Sequence, residues 1–147
     1  MRAVLGGFTD FRPVQRQQVR LTYADCDPAQ LVYYAAWLPK MEQMLLEWFY
    51  RHGYRFDTMF EVVGAAPVTR SVHCEYTAPA RLYDLIDMVM GIQHVGESSY
   101  VVGFRMTRQC DETVVARAQL VCVCIGDGGP VPIPAALRQL MESSEGR

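Results

Sequence analysis

The sequence predicts an α+β fold in which one long helix packs against a curved antiparallel sheet. Residues 35–52 carry a broad apolar stripe at helical spacing, whereas apolar and polar residues alternate with period two after residue 60. Turn signals separate the alternating segments, and consecutive strands joined by short turns pair antiparallel. A helix with so wide an apolar face needs a sheet to cover it. We therefore expect a strand, the helix and then four long strands.

The composition is that of one globular domain. The chain has 147 residues, of which 50% are hydrophobic and 20% are charged, so it can bury a core. We expect a single domain over residues 1–147, with loose termini at 1–13 and 142–147. The formal net charge of −2 gives no electrostatic reason to expect a nucleic-acid partner.

Neither a membrane segment nor a secreted chain is predicted. No apolar run approaches the roughly 20 residues that span a bilayer, and the N-terminus lacks the apolar segment of a signal peptide. The five cysteines have no framework spacing, which favours reduced thiols and a cytoplasmic location. Cys122 and Cys124 have poor spacing for zinc. We expect both to be small buried side chains, and we expect no metal site.

The strands are predicted from their alternation. In the first, residues 14–23, one face carries Val19, Leu21 and Tyr23. In the strand that starts at residue 67, one face carries Val68, Val72, Cys74 and Tyr76, and the other carries Thr69, Ser71, His73 and Glu75. A later strand points Tyr100, Val102, Phe104 and Met106 inward. The glycine-rich stretch GDGGP is predicted to be a loop, and a short terminal helix is expected to follow it.

The start of the long helix is fixed by a proline. Pro39 is tolerated only in the first helical turn, where backbone N–H groups have no partner within the helix. We therefore expect the helix to begin near Ala35 or Ala36 and to end at Gly53. The N–H groups around residues 34–36 should then be free to bind another group.

The stretch TYADCDPAQLVYY, residues 22–34, precedes that helix and contains two aspartates. Asp25 and Asp27 could cap the helix or form a turn, since Asp and Pro favour both. Alternatively, one of them is a functional carboxylate beside free N–H groups that can hold an oxyanion. A calcium loop of the EF-hand type is excluded by the spacing. Cys26 is a poor nucleophile because the two flanking acids disfavour its thiolate.

Two segments of the chain resemble a known family. YADCDPAQLVYYAAWLPKMEQMLLEWF is similar to the start of the 4-hydroxybenzoyl-CoA thioesterase family of the hotdog fold, and EYTAPARLYDLIDM resembles a second stretch of that family. Both also resemble the acyl-CoA thioesterases encoded with the Tol–Pal envelope system. The resemblance implies a five-stranded antiparallel sheet wrapped around a central helix. It also implies homodimers or homotetramers, with active sites at subunit interfaces.

The resemblance further implies hydrolysis of a CoA thioester without metal or organic cofactor. It assigns the catalytic carboxylate to Asp27 and the N–H that polarises the thioester carbonyl to Tyr34, and it leaves Asp25 to support the turn. Asp27 would act as a nucleophile or as a general base. The residues expected to contact the substrate are Tyr33, Trp37, Val68, Thr69, Arg70 and Ser99. Trp37 could equally belong to the core.

Two departures from the family pattern stand out. Gln30 occupies a position where the family usually has glycine, and GESS replaces a basic cluster that grips the nucleotide phosphate. The side chains that could supply the missing charge are Arg70, Arg105, Arg108 and Arg138. Without that cluster, an acyl group on a carrier protein is an alternative to acyl-CoA. A non-catalytic hotdog module that binds either thioester is the rival function. A hotdog dehydratase is disfavoured because residues 22–34 contain no histidine.

Overall fold

A computed structural model describes residues 8–145 of the chain. Its strands, in chain order, are β1 (Gln15–Arg20), β2 (Ala66–Tyr76), β3 (Leu85–Val95), β4 (Ser99–Arg108), β5 (Thr113–Gly126) and β6 (Gly129–Pro130). Its helices are α1 (Trp37–Arg51), α2 (Met59–Val63) and α3 (Ala135–Ser144). The single long helix, the four long strands after it and the terminal helix match the sequence prediction.

The strands form one antiparallel sheet in the order β1-β3-β4-β5-β2, and β6 pairs with the end of β5. β1 precedes α1 and β2 follows it, yet these two strands lie at opposite edges of the sheet. The helix must therefore cross the sheet to connect them. This crossing covers one face of the sheet with the apolar stripe of α1.

The core lies between α1 and the inward face of the sheet. The stripe of α1 is almost fully buried; it consists of Trp37, Met41, Met44, Leu45, Trp48 and Phe49. The four side chains that we expected to point inward from β4 are also buried at 0–1% exposure; they are Tyr100, Val102, Phe104 and Met106. Each such side chain stabilises the fold by about 1.5–3 kcal/mol on burial.

Three local features differ from the prediction. Tyr23 is not on the inner face of β1, because residues 23–25 form a short 3-10 turn that leaves its ring 71% exposed. The sequence pattern missed α2, which is only five residues long and ends at Gly64 in a left-handed conformation. The loop predicted from GDGGP contains the two residues of β6, which extend the sheet by a minimal hairpin.

A bulge in β2 reverses the expected faces of its first half. Thr69 pairs with Cys122 and Val72 pairs with Leu120, and the register shifts between these two pairs. Cys122 and Leu120 are two residues apart and both belong to the core, so Thr69 and Val72 share the inner face. Strict alternation had placed Thr69 and Val72 on opposite faces of the strand. This prediction is wrong, because Arg70 is the extra residue of the bulge.

The N-terminal segment, residues 8–14, crosses the outer face of the sheet. The Phe11 ring lies against Gly91 and Gly103, where no side chain intervenes, and the Arg105 guanidinium stacks 5.6 Å from its centre. Arg12 donates a 2.7 Å hydrogen bond to the carbonyl of Ser143 in α3. Residues 8–13 and 142–144, which we expected to be loose, thus have defined contacts here, and residues 1–7 and 146–147 lie outside the described part.

Candidate active site

The loop that carries the aspartates is a tight hairpin. Asp27 N–H donates to the Leu31 carbonyl at 2.8 Å, and Gln30 N–H donates to the Asp27 carbonyl at 2.8 Å. The sequence explains this shape, since Asp and Pro favour the first two positions of such a β-turn. The last loop residue, Gln30, has a φ of 63°. This is the left-handed conformation that glycine adopts most easily.

The backbone conformation of Gln30 shows how the loop accommodates a glutamine where the family usually has glycine. The loop keeps the left-handed conformation that a glycine would favour, although the side chain is a glutamine. A non-glycine residue in this region carries a strain of the order of 1–2 kcal/mol. The hairpin is held by the hydrogen bonds on either side of Gln30, which offset that strain.

The carboxylate of Asp27 is fixed at one oxygen. Its Oδ1 accepts hydrogen bonds from Ala29 N–H at 2.9 Å and from Leu31 N–H at 3.3 Å. Among residues 8–145 no group donates to Oδ2. One oxygen thus orients the carboxylate, and the other is left to interact with a ligand.

Asp25 has a different environment from Asp27. Its Oδ2 accepts from Thr22 N–H at 2.9 Å and from the Thr22 hydroxyl at 3.2 Å, and its Oδ1 lies 2.8 Å from Lys40 Nζ. Burial alone would raise the pKa of Asp25, but the hydrogen bonds from Lys40 and Thr22 outweigh it and lower the pKa below 3.8. Asp25 supports the loop, as the resemblance implied.

The start of α1 leaves backbone donors free. α1 begins at Trp37, slightly later than expected, because residues 34–36 form a turn closed by a 2.9 Å bond from Ala36 N–H to the Tyr33 carbonyl. Within the described residues, the N–H groups of Tyr34 and Ala35 donate no hydrogen bond. Tyr34 is 65% exposed, so a ligand can reach this turn.

The two segments that carry the family resemblance lie side by side. Val32 N–H donates to the Ala80 carbonyl at 2.8 Å, and Leu82 N–H donates to the Gln30 carbonyl at 3.0 Å. The sequence TAPARLYD therefore provides backbone partners for the second half of the aspartate hairpin. Spatial adjacency of the two segments could not be read from the chain order alone.

A mostly apolar cavity of about 470 Å³ lies between α1 and the edge of the sheet. Leu38, one helical turn after Tyr34, is at its α1 side, and Val68 and Thr69 line it from β2. Cys122 lines it from β5, where burial raises the pKa of its thiol to about 11, against a smaller lowering by the Tyr100 and Thr69 hydroxyls. A neutral thiol at this position contacts a ligand as an apolar group.

Glu42 is the charged residue of this cavity that the sequence analysis did not single out. It follows Leu38 by one helical turn, so the two side chains share a face of α1. The cavity-facing row of α1 consists of Leu38, Glu42 and Leu45, and Leu45 also belongs to the apolar stripe. The spacing of these three residues could have indicated that Glu42 lies at the edge of the stripe.

Other residues expected to contact the substrate lie in different places. Trp37 is completely buried in the core, and its indole Nε1 has no partner among the described residues. The Tyr33 ring is partly exposed and lies 4.6 Å from the Tyr34 ring. Arg70 is exposed at the bulge of β2, and Ser99 is the first residue of β4. Of the expected contact residues, Val68 and Thr69 line the cavity, Tyr33 directly precedes the turn before α1, and Trp37 belongs to the core.

The remaining arginine candidates for a phosphate contact are engaged elsewhere. Arg105 stacks on Phe11, and Arg108 bonds the carboxylate of Asp111 at 2.9–3.1 Å. Arg138 extends from α3 to the turn between β3 and β4, where it donates to the carbonyls of Gly96 and Glu97 at 2.7 and 3.0 Å. The turn with the sequence GESS thus has a positive charge beside it that comes from another element.

The described residues contain no group of three side chains that could hold a metal ion. None of the helices in residues 8–145 is long and apolar enough to cross a membrane. All five cysteines are free, and Cys122 and Cys124 are buried as expected. Burial, followed by the charges of Asp25, Asp27 and Asp84, raises the pKa of Cys26, which agrees with its rejection as a nucleophile.

Comparison with known sequences identifies the family. The family model described as the thioesterase-like superfamily matches residues 21–141. The chain belongs to the thioesterase-like superfamily. It is 28% identical over 110 residues to the acyl-CoA thioester hydrolase YbgC of Escherichia coli O6:H1. The aligned residues cover 75% of this chain and 81% of that protein. It is 25% identical over 120 residues to the acyl-CoA thioesterase YbgC of Haemophilus influenzae, covering 82% and 88% of the two chains.

Solved structures of two thioesterases share the fold. A 1,4-dihydroxy-2-naphthoyl-CoA thioesterase from Synechocystis superposes with a TM-score of 0.77 at 19% identity, covering 86% of this chain and 94% of that one. A mutant 4-hydroxybenzoyl-CoA thioesterase in complex with 4-hydroxybenzoyl-CoA gives a TM-score of 0.75 at 19% identity, covering 86% and 96%. The predicted hotdog fold, an antiparallel sheet curled around a long helix, is confirmed.

Proposed function

We propose that this protein is an acyl-CoA thioesterase that uses Asp27 and the Tyr34 N–H. The observation that carries the proposal is the free backbone N–H at the start of α1, shortly after a hairpin that holds a carboxylate with one unengaged oxygen. An oxyanion site and a carboxylate are the two groups that acyl transfer needs. The relatives named as acyl-CoA thioesterases support this reaction class.

The proposed reaction proceeds around the thioester carbonyl. The Tyr34 N–H donates a hydrogen bond to the carbonyl oxygen and stabilises the negative charge that forms on it. In one route, Asp27 attacks the carbonyl carbon and CoA leaves as a thiolate; water then opens the resulting anhydride, which regenerates the Asp27 carboxylate and provides the proton that the thiolate takes up. In the other, Asp27 removes a proton from the water that attacks, the C–S bond breaks, and the departing CoA thiolate takes up that proton. Both routes use the oxygen of Asp27 that no described residue engages.

The cavity suggests the class of acyl group. Its volume of about 470 Å³ and its mostly apolar lining fit an aryl group or a short to medium acyl chain. The polar groups that line it are few, chiefly Glu42 and Thr69. We therefore propose a substrate whose acyl group is similar in size to the hydroxyaryl groups of the CoA thioesters named for two of the structural neighbours.

We also propose that the protein assembles as a homodimer or homotetramer through β2. This edge strand is 11 residues long, and most of its side chains are exposed on both faces of the sheet. An edge of this length with Val68, Val72 and Tyr76 exposed is a pairing surface.

The free thiols further support the cytoplasmic location expected from the sequence.

The experiment that tests the proposed activity is a thiol-release assay of the wild-type protein. The panel contains aryl-CoA and acyl-CoA thioesters of increasing length, together with one acyl group on a carrier protein. We expect turnover of at least one aryl or short to medium acyl thioester, and the preferred carrier identifies the natural substrate form. Saturable binding of these thioesters without thiol release would contradict the proposal and favour the non-catalytic binding module.

A further inference from the structure

The Tyr34 N–H belongs to a peptide unit that has a fixed neighbour on each side. On the N-terminal side, the Tyr33 N–H donates a 2.7 Å hydrogen bond to the backbone carbonyl of Asp25. On the C-terminal side, the Tyr34 carbonyl accepts a hydrogen bond from the Tyr76 hydroxyl. The direction of the free N–H is therefore set by groups outside its own turn in addition to the 2.9 Å bond from Ala36 N–H to the Tyr33 carbonyl within that turn.

Lys40 holds Asp25, the hydrogen-bond partner on the N-terminal side, in place. It is the only lysine in the chain. Its Nζ lies 2.8 Å from Asp25 Oδ1, and the two side chains are only 18% and 12% exposed. Lys40 belongs to the first turn of α1, so this ion pair ties the helix start to the aspartate hairpin.

Tyr76 fixes the second neighbour from β2. Its hydroxyl reaches the Tyr34 carbonyl across 42 positions of sequence, so the contact joins the sheet edge to the helix start. Burial, followed by the nearby Cys74 thiol, raises the pKa of Tyr76 to about 12. The phenol therefore stays protonated at neutral pH and remains a donor.

We propose that Lys40 and Tyr76 are positioning residues that aim the Tyr34 N–H at the thioester carbonyl. Neither residue needs to contact the substrate, because each acts through a backbone group that flanks the Tyr34 peptide. This inference rests on the proposed thioesterase function and extends it to two residues that the sequence analysis did not assign to the site. A small error in the direction of an oxyanion donor is costly, since a misplacement of about 1 Å can lower a rate about 10²-fold.

The test compares kcat and KM of the wild type, Tyr76→Phe, Lys40→Met and Lys40→Arg on the best substrate of the acyl-CoA panel. Tyr76→Phe removes one hydroxyl, and we expect it to lower kcat about 10–10²-fold with little change in KM. Lys40→Met should have a similar effect, and Lys40→Arg should restore most of kcat because it retains the charge.

The matched controls are Tyr50→Phe, which removes an exposed hydroxyl on α1, and Arg55→Met, which breaks an exposed ion pair with Asp57. Both should keep wild-type kcat, and thermal unfolding shows that each variant is folded. Unchanged kcat in folded Tyr76→Phe and Lys40→Met overturns this inference and leaves the proposed function standing. A wild-type protein that releases no thiol from any thioester overturns both.

Discussion

Two aspartates that are separated by one residue in the motif, Asp25 and Asp27, have different environments. Asp25 is buried against Lys40 and Thr22, whereas Asp27 is held at one oxygen by backbone N–H groups. Residue type and spacing did not separate them, because both fit a cap or a turn, and only the family resemblance assigned them different roles. The difference comes from Lys40, a residue 15 positions further along that the fold of α1 brings to Asp25.

The pairing of Asp25 with Lys40 predicts a pH dependence of stability. The pKa of Asp25 lies below its ordinary value of 3.8 in the folded chain, so its contribution is complete above that pH and is lost as the pH falls through the folded pKa. In Lys40→Met the lowering by Lys40 is absent, so we expect the stability difference between the wild type and the variant to be largest at neutral pH and to shrink as the pH falls through the folded pKa of Asp25.

At neutral pH the same variant leaves Asp25 without its counter-ion, which should lower the free energy of unfolding by about 1–3 kcal/mol for this partly buried pair. Urea unfolding at neutral pH and at a pH below 3.8 measures both effects. Equal acid sensitivity of the wild type and Lys40→Met would contradict the assigned role of the ion pair.

Gln30 provides a second prediction at this scale. Its left-handed conformation is strained for any residue with a side chain, most of all for a β-branched one. Gln30→Val should lower the free energy of unfolding by about 1–2 kcal/mol. Gln30→Gly should change it by less than about 1 kcal/mol, since relief of strain and the added entropy of the unfolded chain oppose each other. Denaturant unfolding of both variants tests this, and a stable Gln30→Val would show that the loop adopts another conformation.

At the level of elements, the sequence predicted the segments in which apolar residues recur with a regular period. It did not predict the features that interrupt such a period. The apolar stripe of α1 and the alternation of β4 follow directly from their periods of 3.6 and 2. The bulge at Arg70 and the short helix α2 interrupt those periods, and tertiary packing decides both. The start of α1 was predicted closely because Pro39 restricts it chemically. The position of the cavity depends on which strand neighbours which, and strand order is not encoded in any single segment.

The N-terminal segment predicts an effect of added volume on the outer face of the sheet. A methyl group at Gly91 would overlap the Arg12 carbonyl and the Phe11 ring, whereas a methyl group at Gly128 would meet no atom within 4 Å. We expect Gly91→Ala to displace residues 8–14 and to lower the free energy of unfolding by about 1–3 kcal/mol. Gly128→Ala is the control and should leave stability nearly unchanged. Limited proteolysis and denaturant unfolding measure the two effects, and an unperturbed Gly91→Ala would refute the close packing of Phe11.

Across the whole molecule, the crossing of α1 from one sheet edge to the other assembles the site. The hairpin with Asp27 follows β1, the free N–H groups open α1, and the cavity lies between α1 and β2. The segment before β3 then pairs with the hairpin and completes it. The proposed carboxylate, the proposed oxyanion donor and the proposed acyl cavity thus come from different segments of the hotdog fold.

The most direct measurement of the central claim is kcat of Asp27→Asn on the best thioester substrate. Asparagine preserves the size of the side chain and removes its capacity as a base or nucleophile. We predict a loss of about 10²–10⁴-fold in kcat with KM little changed, while Asp57→Asn, at an exposed position of a short 3-10 helix, retains wild-type turnover. Hydrolysis by folded Asp27→Asn at a rate near that of the wild type would contradict the role of Asp27 and the mechanism built on it.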